Sequence, residues 1–110
     1  VQNLPGIPTI RPFEALACGI PLISAPWDDA EHLFRPGEDY LTVRDGVEMT
    51  SRLREVLSDA DLAQSLTRSG RETVLARHTC RHRVDELLTL LTHCGSHRVI
   101  RKIVSPEAAE

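Results

Sequence analysis

The stretch Arg11-Pro12-Phe13-Glu14-Ala15-Leu16-Ala17-Cys18-Gly19-Ile20-Pro21-Leu22-Ile23-Ser24 decides the fold of this chain. It reads as a short helix, a glycine stop and a buried strand. Thr9 is a plausible N-cap, and Pro12 is tolerated because it falls in the first turn. Phe13, Leu16 and Ala17 form the expected buried face, and Gly19 ends the helix. Ile20 to Ser24 is a continuous apolar run, as in a parallel strand covered on both faces. Pro21 lacks an N–H, so it belongs at the strand start or on an unpaired side. Glu14 is read onto the first turn of the helix. A helix start beside the carboxyl end of a strand is a natural anion site, because free N–H groups and the helix dipole both favour a phosphate. A carboxylate in the same turn can accept hydrogen bonds from sugar hydroxyls. Together these features suit a nucleotide or nucleotide-sugar ligand.

Outward from that core, residues 1–9 are rich in Pro and Gly (Pro5, Gly6, Pro8) and read as a loop. Ala25-Pro26-Trp27-Asp28-Asp29 forms a loop at the carboxyl end of the strand, where open α/β sheets bind ligands. A short helix is expected over Ala30 to Phe34, then a turn at Arg35-Pro36-Gly37-Glu38-Asp39. Tyr40-Leu41-Thr42-Val43 reads as a second short strand. Asp45 and Glu48 form a capping box for a helix over Gly46 to Leu57, with Val47, Leu53, Val56 and Leu57 as its apolar positions. Ser58 is expected to cap a helix over Ala60 to Ala76, with Leu62, Leu66 and Val74 inward. Gly70 lowers helix stability and therefore points to a close crossing. Thr79 caps a third long helix, with Val84, Leu87, Leu88 and Leu91 at i, i+3, i+4, i+7, ending at Gly95. The tail from Ser96 carries one apolar cluster, Val99, Ile100, Ile103 and Val104.

Strand, helix, strand and then several helices fit the C-terminal part of an open, Rossmann-like α/β domain. Residues 1–94 are expected to form it, with 95–110 as a tail or appended segment. Two short strands do not make a stable sheet alone. Partner strands from a preceding half are therefore expected, and the unpaired edges leave a second copy as a pairing or swapping partner, a homodimer.

The 110 residues bound the chain to one domain, and 41% apolar content fits a soluble globular protein. A net charge of -3 gives no drive towards nucleic acid or anionic membranes, and 4% aromatic content argues against a base-stacking surface. No apolar run approaches the roughly 20 residues of a membrane span. The chain begins at Val1 rather than Met, so a piece of a longer protein is expected, without its targeting segment. Cys18, Cys80 and Cys94 are odd in number and lack framework spacing, which favours reduced thiols and a cytoplasmic setting. His78, Cys80, His82, His93, Cys94 and His97 supply zinc-ligand types. They lack a paired C-x-x-C, and the cap at Thr79 splits them across a helix start, so no metal site is expected.

The residues from Phe13 to Ile23 resemble the C-terminal domain of GT-B glycosyltransferases of the group 1 type, in the branch related to spore-maturation glycosyltransferase-like proteins. That branch carries R-x-F-E-A-x-A-C-G-x-P-L-I-S, a loop, an L-F-x-P-G-x-D/E turn and a short strand. Here the second run is Leu33-Phe34-Arg35-Pro36-Gly37-Glu38-Asp39-Tyr40-Leu41. Arg71 to Arg83, with His78-Thr79, is also similar, and the resemblance covers about residues 9–92.

The resemblance implies two Rossmann-like domains facing a cleft, the C-terminal one holding the nucleotide-sugar donor. Sugar would pass from that donor to an acceptor held largely by an upstream domain, so the isolated piece would be inactive. Many members carry two glutamates eight positions apart. Glu14 matches the second, which typically touches the nucleotide ribose; Gly6 stands where the first, near the donor sugar, would be. Donor-binding candidates are thus Arg11, by position beside the pyrophosphate, Phe13 and Glu14. Backbone amides from Pro8 to Phe13, except those of Pro8 and Pro12, add donors, and Trp27 is a candidate loop contact. A positive helix end and Arg11 could stabilise the departing diphosphate without a metal, and no cofactor is implied. Two alternatives stand beside this reading. The substitution at Gly6 fits a non-catalytic interaction module that kept the fold, and a flavodoxin-like receiver or nucleotide domain would need acidic strand ends upstream.

Overall fold

The computed structural model describes residues 8–94. Its elements are α1 (Ile10–Ala17), β1 (Ile23–Ser24), β2 (Leu41–Thr42), α2 (Gly46–Ser58), α3 (Ala60–Arg77) and α4 (Cys80–His93). Internal contacts divide the chain into two units, Val1–Arg77 and His78–Glu110, so α1 to α3 and the sheet belong to the first and α4 to the second. The expected loop over residues 1–7, the stop at Gly95 and the tail cluster lie outside the described residues.

The first unit is a small α/β structure. β1 and β2 pair in parallel with Ile23 opposite Leu41 and Ser24 opposite Thr42. The Leu41 amide donates to the Leu22 carbonyl at 2.9 Å and the Val43 amide to the Ser24 carbonyl at 3.0 Å. Both strands are shorter than the expected runs Ile20 to Ser24 and Tyr40 to Val43. In the first, Ile20 is used to close α1. Gly19, at φ +70°, sends its amide to Leu16, and Ile20 sends its amide to Ala15, the paired bonds of a Schellman ending.

Leu16 is 1% exposed and joins Phe34, Tyr40 and Val74 in the core, with Phe13, Leu22, Trp27 and Leu33 packed against it. α3 supplies the opposing wall. A Cβ built on Gly70 would lie 2.6 Å from Leu16 Cδ2 and 2.8 Å from the Asp39 carbonyl oxygen. The close crossing anticipated at Gly70 is therefore present, and it is the backbone of the 35–39 turn as well as α1 that comes so near.

Several expectations are corrected. Ala17 is exposed, because only i and i+3 of so short a helix reach the core. Thr9 is extended at the N-cap position but makes no side-chain cap. Glu14 is the fifth residue of α1 and sits in its second turn, not its first. No helix forms over Ala30 to Phe34. The Asp29 carboxylate instead accepts from the amides of Leu33 (2.9 Å) and Phe34 (3.1 Å), and His32 at φ +50° turns the chain out of helical geometry.

α2 starts as expected, the Asp45 carboxylate accepting from the Glu48 amide at 2.8 Å, while Glu48 reaches one residue further back to the Arg44 amide. Its apolar positions do not form a buried stripe, since Val47, Leu53 and Leu57 are exposed. α3 is capped by Asp59, whose carboxylate accepts from the Leu62 amide at 3.0 Å; Ser58 instead ends α2 and donates to the Glu55 carbonyl.

In the second unit, Thr79 caps α4. The Thr79 amide donates to His82 Nδ1 and the His82 amide to Thr79 Oγ1, a reciprocal pair that serves the first turn. Among the expected inward residues of α4, Val84 and Leu87 are exposed and Leu88 and Leu91 half-buried.

Candidate functional site

α1 separates two faces. Phe13 and Leu16 turn inward, whereas Arg11 and Glu14, three residues apart and so neighbours along the helix surface, are exposed. Ile10 and Arg11 carry the free amides at the start of α1, since Pro12 has none. Glu14 and Arg11 thus share a surface with the helix start, although Glu14 lies one turn further along than the sequence suggested.

Phe13 ties this helix to the loop that leaves β1. Its ring meets Phe34 at 4.9 Å between centroids, tilted by 59°, and Phe34 meets Tyr40 edge-on at 6.5 Å. Trp27, in the same loop, stacks on Tyr40 at 4.7 Å and 16°. Trp27 is therefore half-buried in the edge of the core. Its indole Nε1 is buried and has no hydrogen-bond acceptor. Phe13, Phe34, Tyr40 and Trp27 form one chain of rings that holds the 25–34 loop beside α1.

That loop is braced a second time. Besides the Asp29 carboxylate on Leu33 and Phe34, the His32 amide donates to the Asp29 carbonyl at 3.0 Å and the Arg77 guanidinium to the His32 carbonyl at 3.1 Å. Asp28, Glu31 and His32 are left exposed on its outer side.

The strongest electrostatic feature is one the sequence reading saw only as a turn residue. Asp39 is fully buried, and Oδ1 accepts from Ser69 Oγ (2.6 Å), Thr73 Oγ1 (3.1 Å) and Arg35 Nη2 (3.0 Å), while Oδ2 accepts from the Arg35 amide (2.9 Å). Burial pushes its carboxyl up, but the hydrogen bonds from Ser69, the Arg35 amide, the Arg35 guanidinium and Thr73 outweigh it and leave the net shift downward. The phenol of Tyr40 is pushed up, by burial first and then by the charges of Asp29 and Asp39. Asp39 joins the turn to α3 and so fixes Tyr40, on which Trp27 rests. The signal for it was the acid two residues after Pro36-Gly37 (Asp39); no local pattern announced its partners 30 and 34 residues away.

Elsewhere, grooves of about 360 Å³ beside Gln64, Arg68 and Arg71 on α3 and about 420 Å³ beside Val47 and Arg54 on α2 include none of Arg11, Phe13, Glu14 or Trp27. His78 contacts the Arg83 guanidinium and His82 serves the α4 cap. No group of three or more His, Cys, Asp and Glu side chains among the described residues could hold a metal ion. No helix among them is long and apolar enough to cross a membrane.

A family model described as glycosyl transferase-like matches residues 1–89. No curated protein and no solved structure matches the chain. The matched span holds α1, both strands, the ring-braced loop, the Asp39 turn, α2 and α3, together with most of α4. Since 89 of its 110 residues fall within that match, the chain belongs to the glycosyl transferase-like family.

Proposed function

We propose that this chain is the donor-binding part of a glycosyltransferase, the C-terminal portion of a GT-B domain of the group 1 type in the spore-maturation-like branch. The observation that carries the reading is the outer face of α1. Arg11 and Glu14 stand exposed one helical step apart beside free amides, while Phe13 between them anchors the helix to Phe34. In the proposed site the helix start and Arg11 bind the diphosphate of a nucleotide sugar, and the Glu14 carboxylate accepts from ribose hydroxyls. Breaking the sugar–phosphate bond leaves negative charge on the nucleoside diphosphate, and the same positive groups lower its energy. Holding the ribose orients the sugar towards an acceptor. The acceptor site is assigned to an upstream half facing this one.

The test is a thermal-shift and calorimetric series on the protein with UDP, GDP, ADP and dTDP and their common sugar conjugates. A ligand that binds only the folded state raises its melting temperature by mass action. One nucleotide class is expected to give a rise that Glu14→Ala and Arg11→Ala each diminish. A folded protein with no rise from any of them would overturn the reading. It would favour the second one, an interaction module that kept the fold, for which Gly6 in place of a glutamate is the specific observation.

A further inference from the structure

His32 is the one non-glycine residue among the described residues with a left-handed backbone, at φ +50°. Left-handed geometry is disfavoured for a residue with a Cβ, and it persists only where the surroundings over-determine it. Here they do. Asp29 holds the amides on both sides of the outlier, through its carbonyl to His32 and its carboxylate to Leu33 and Phe34, and Arg77 holds the His32 carbonyl. The imidazole takes no part in this bracing and is exposed. Strain of this kind, maintained by four hydrogen bonds so as to present one unused side chain, clusters at ligand-binding sites.

The surroundings say which part of a ligand would meet it. The Phe13–Phe34 contact ties the loop to α1, two residues from Arg11 on one side and two from His32 on the other. Asp28 and Glu31, exposed and close to His32 in sequence, carry carboxylates that repel phosphate but accept hydrogen bonds from hydroxyls, while the exposed Arg77 guanidinium is engaged by the His32 carbonyl. The imidazole can donate to, or accept from, the same groups.

Resting on the donor-binding reading above, we infer that His32 is a specificity-determining residue that contacts the hydroxyls of the donor sugar, leaving the diphosphate to Arg11 and the start of α1. The contact separates the sugar nucleotide from the bare nucleoside diphosphate, so affinities for the two are compared by calorimetry in the protein, His32→Gly and His32→Asn. Glycine relieves the left-handed strain and asparagine tolerates it, but neither supplies an imidazole.

The expected result is a rise of a few degrees in melting temperature for His32→Gly. Both variants should bind the sugar nucleotide about tenfold more weakly, the value of one hydrogen bond, with the nucleoside diphosphate within twofold of the parent. Unchanged affinity for both ligands, or equal loss for both, would overturn the inference while leaving the nucleotide site standing. A parent that binds a nucleoside diphosphate but gains nothing from the attached sugar would overturn it too. A folded parent that binds neither ligand would bring down the donor-binding reading itself, and this inference with it.

Discussion

The Asp39 carboxylate and Arg35, four residues before it, close a ring in which Oδ2 accepts from the Arg35 amide at 2.9 Å and Oδ1 from its guanidinium at 3.0 Å. The ring shapes the Pro36-Gly37 turn, and Ser69 and Thr73 fasten it to α3. Asp39 is fully buried while the Arg35 side chain is 56% exposed, so the arginine can recover hydration if the carboxylate is lost but the hydroxyls cannot do so as easily.

Asp39→Ala is therefore expected to destabilise the fold by about 2–3 kcal/mol, and Asp39→Asn by about half that, measured by urea unfolding. The carboxyl sits below its ordinary range in the folded protein. Its contribution is therefore complete above the unfolded-state value, about pH 4, and is lost as pH falls through the folded value. Asp39→Asn should remove that part of the acid slope.

Gly70→Ala tests the crossing of α1 and α3. Alanine gains about 1 kcal/mol in helix propensity over glycine. Against that, its Cβ would stand 2.8 Å from a backbone oxygen, that of Asp39, as well as 2.6 Å from Leu16 Cδ2. The backbone cannot swing aside as a side chain can, so the clash wins and a net loss of about 1–3 kcal/mol is expected. Adding Leu16→Ala should not restore stability, since the carbonyl contact remains and a core leucine is lost.

Trp27 combines a favourable stack with an unfavourable orphan N–H. Trp27→Phe keeps a ring on Tyr40 and removes the unsatisfied donor, so unfolding followed by circular dichroism should change by less than about 1 kcal/mol. Trp27→Ala empties the position and should cost about 3 kcal/mol.

Thr79→Ala removes one half of the reciprocal cap on α4. The expected cost is about 1 kcal/mol, localised to that helix. Faster hydrogen exchange at the amides of Arg81, His82 and Arg83, with α3 unchanged, would show it.

Much of the fold was legible from local pattern. Gly19 after an apolar turn gives a helix end because only glycine enters the left-handed region cheaply, and the cap residues Asp45 and Thr79 satisfy amides within three residues of themselves. The expected helix over Ala30 to Phe34 failed for an equally physical reason. Asp29 can satisfy amides four and five residues on without a helix, and the ring contacts of Phe34 with Phe13 and Tyr40 reward that closed loop over a helical turn.

By itself, then, the sequence determined where α1 to α4 and the two short extended runs lie, because periodicity, caps and glycine stops act over a few residues. Arg11, Phe13, Glu14 and Trp27 became candidates through their place at the helix start and strand end and through the family resemblance. Only the tertiary structure decided that Glu14 stands one turn inside α1, that Trp27 serves the core edge through Tyr40, and that Asp39 latches a turn to α3 across thirty residues of chain. Those outcomes depend on which side chains arrive at the same point in space. A buried carboxylate such as Asp39 is tolerated only where distant donors converge on it, and the left-handed His32 is held partly by Arg77 from α3; no local pattern records either meeting.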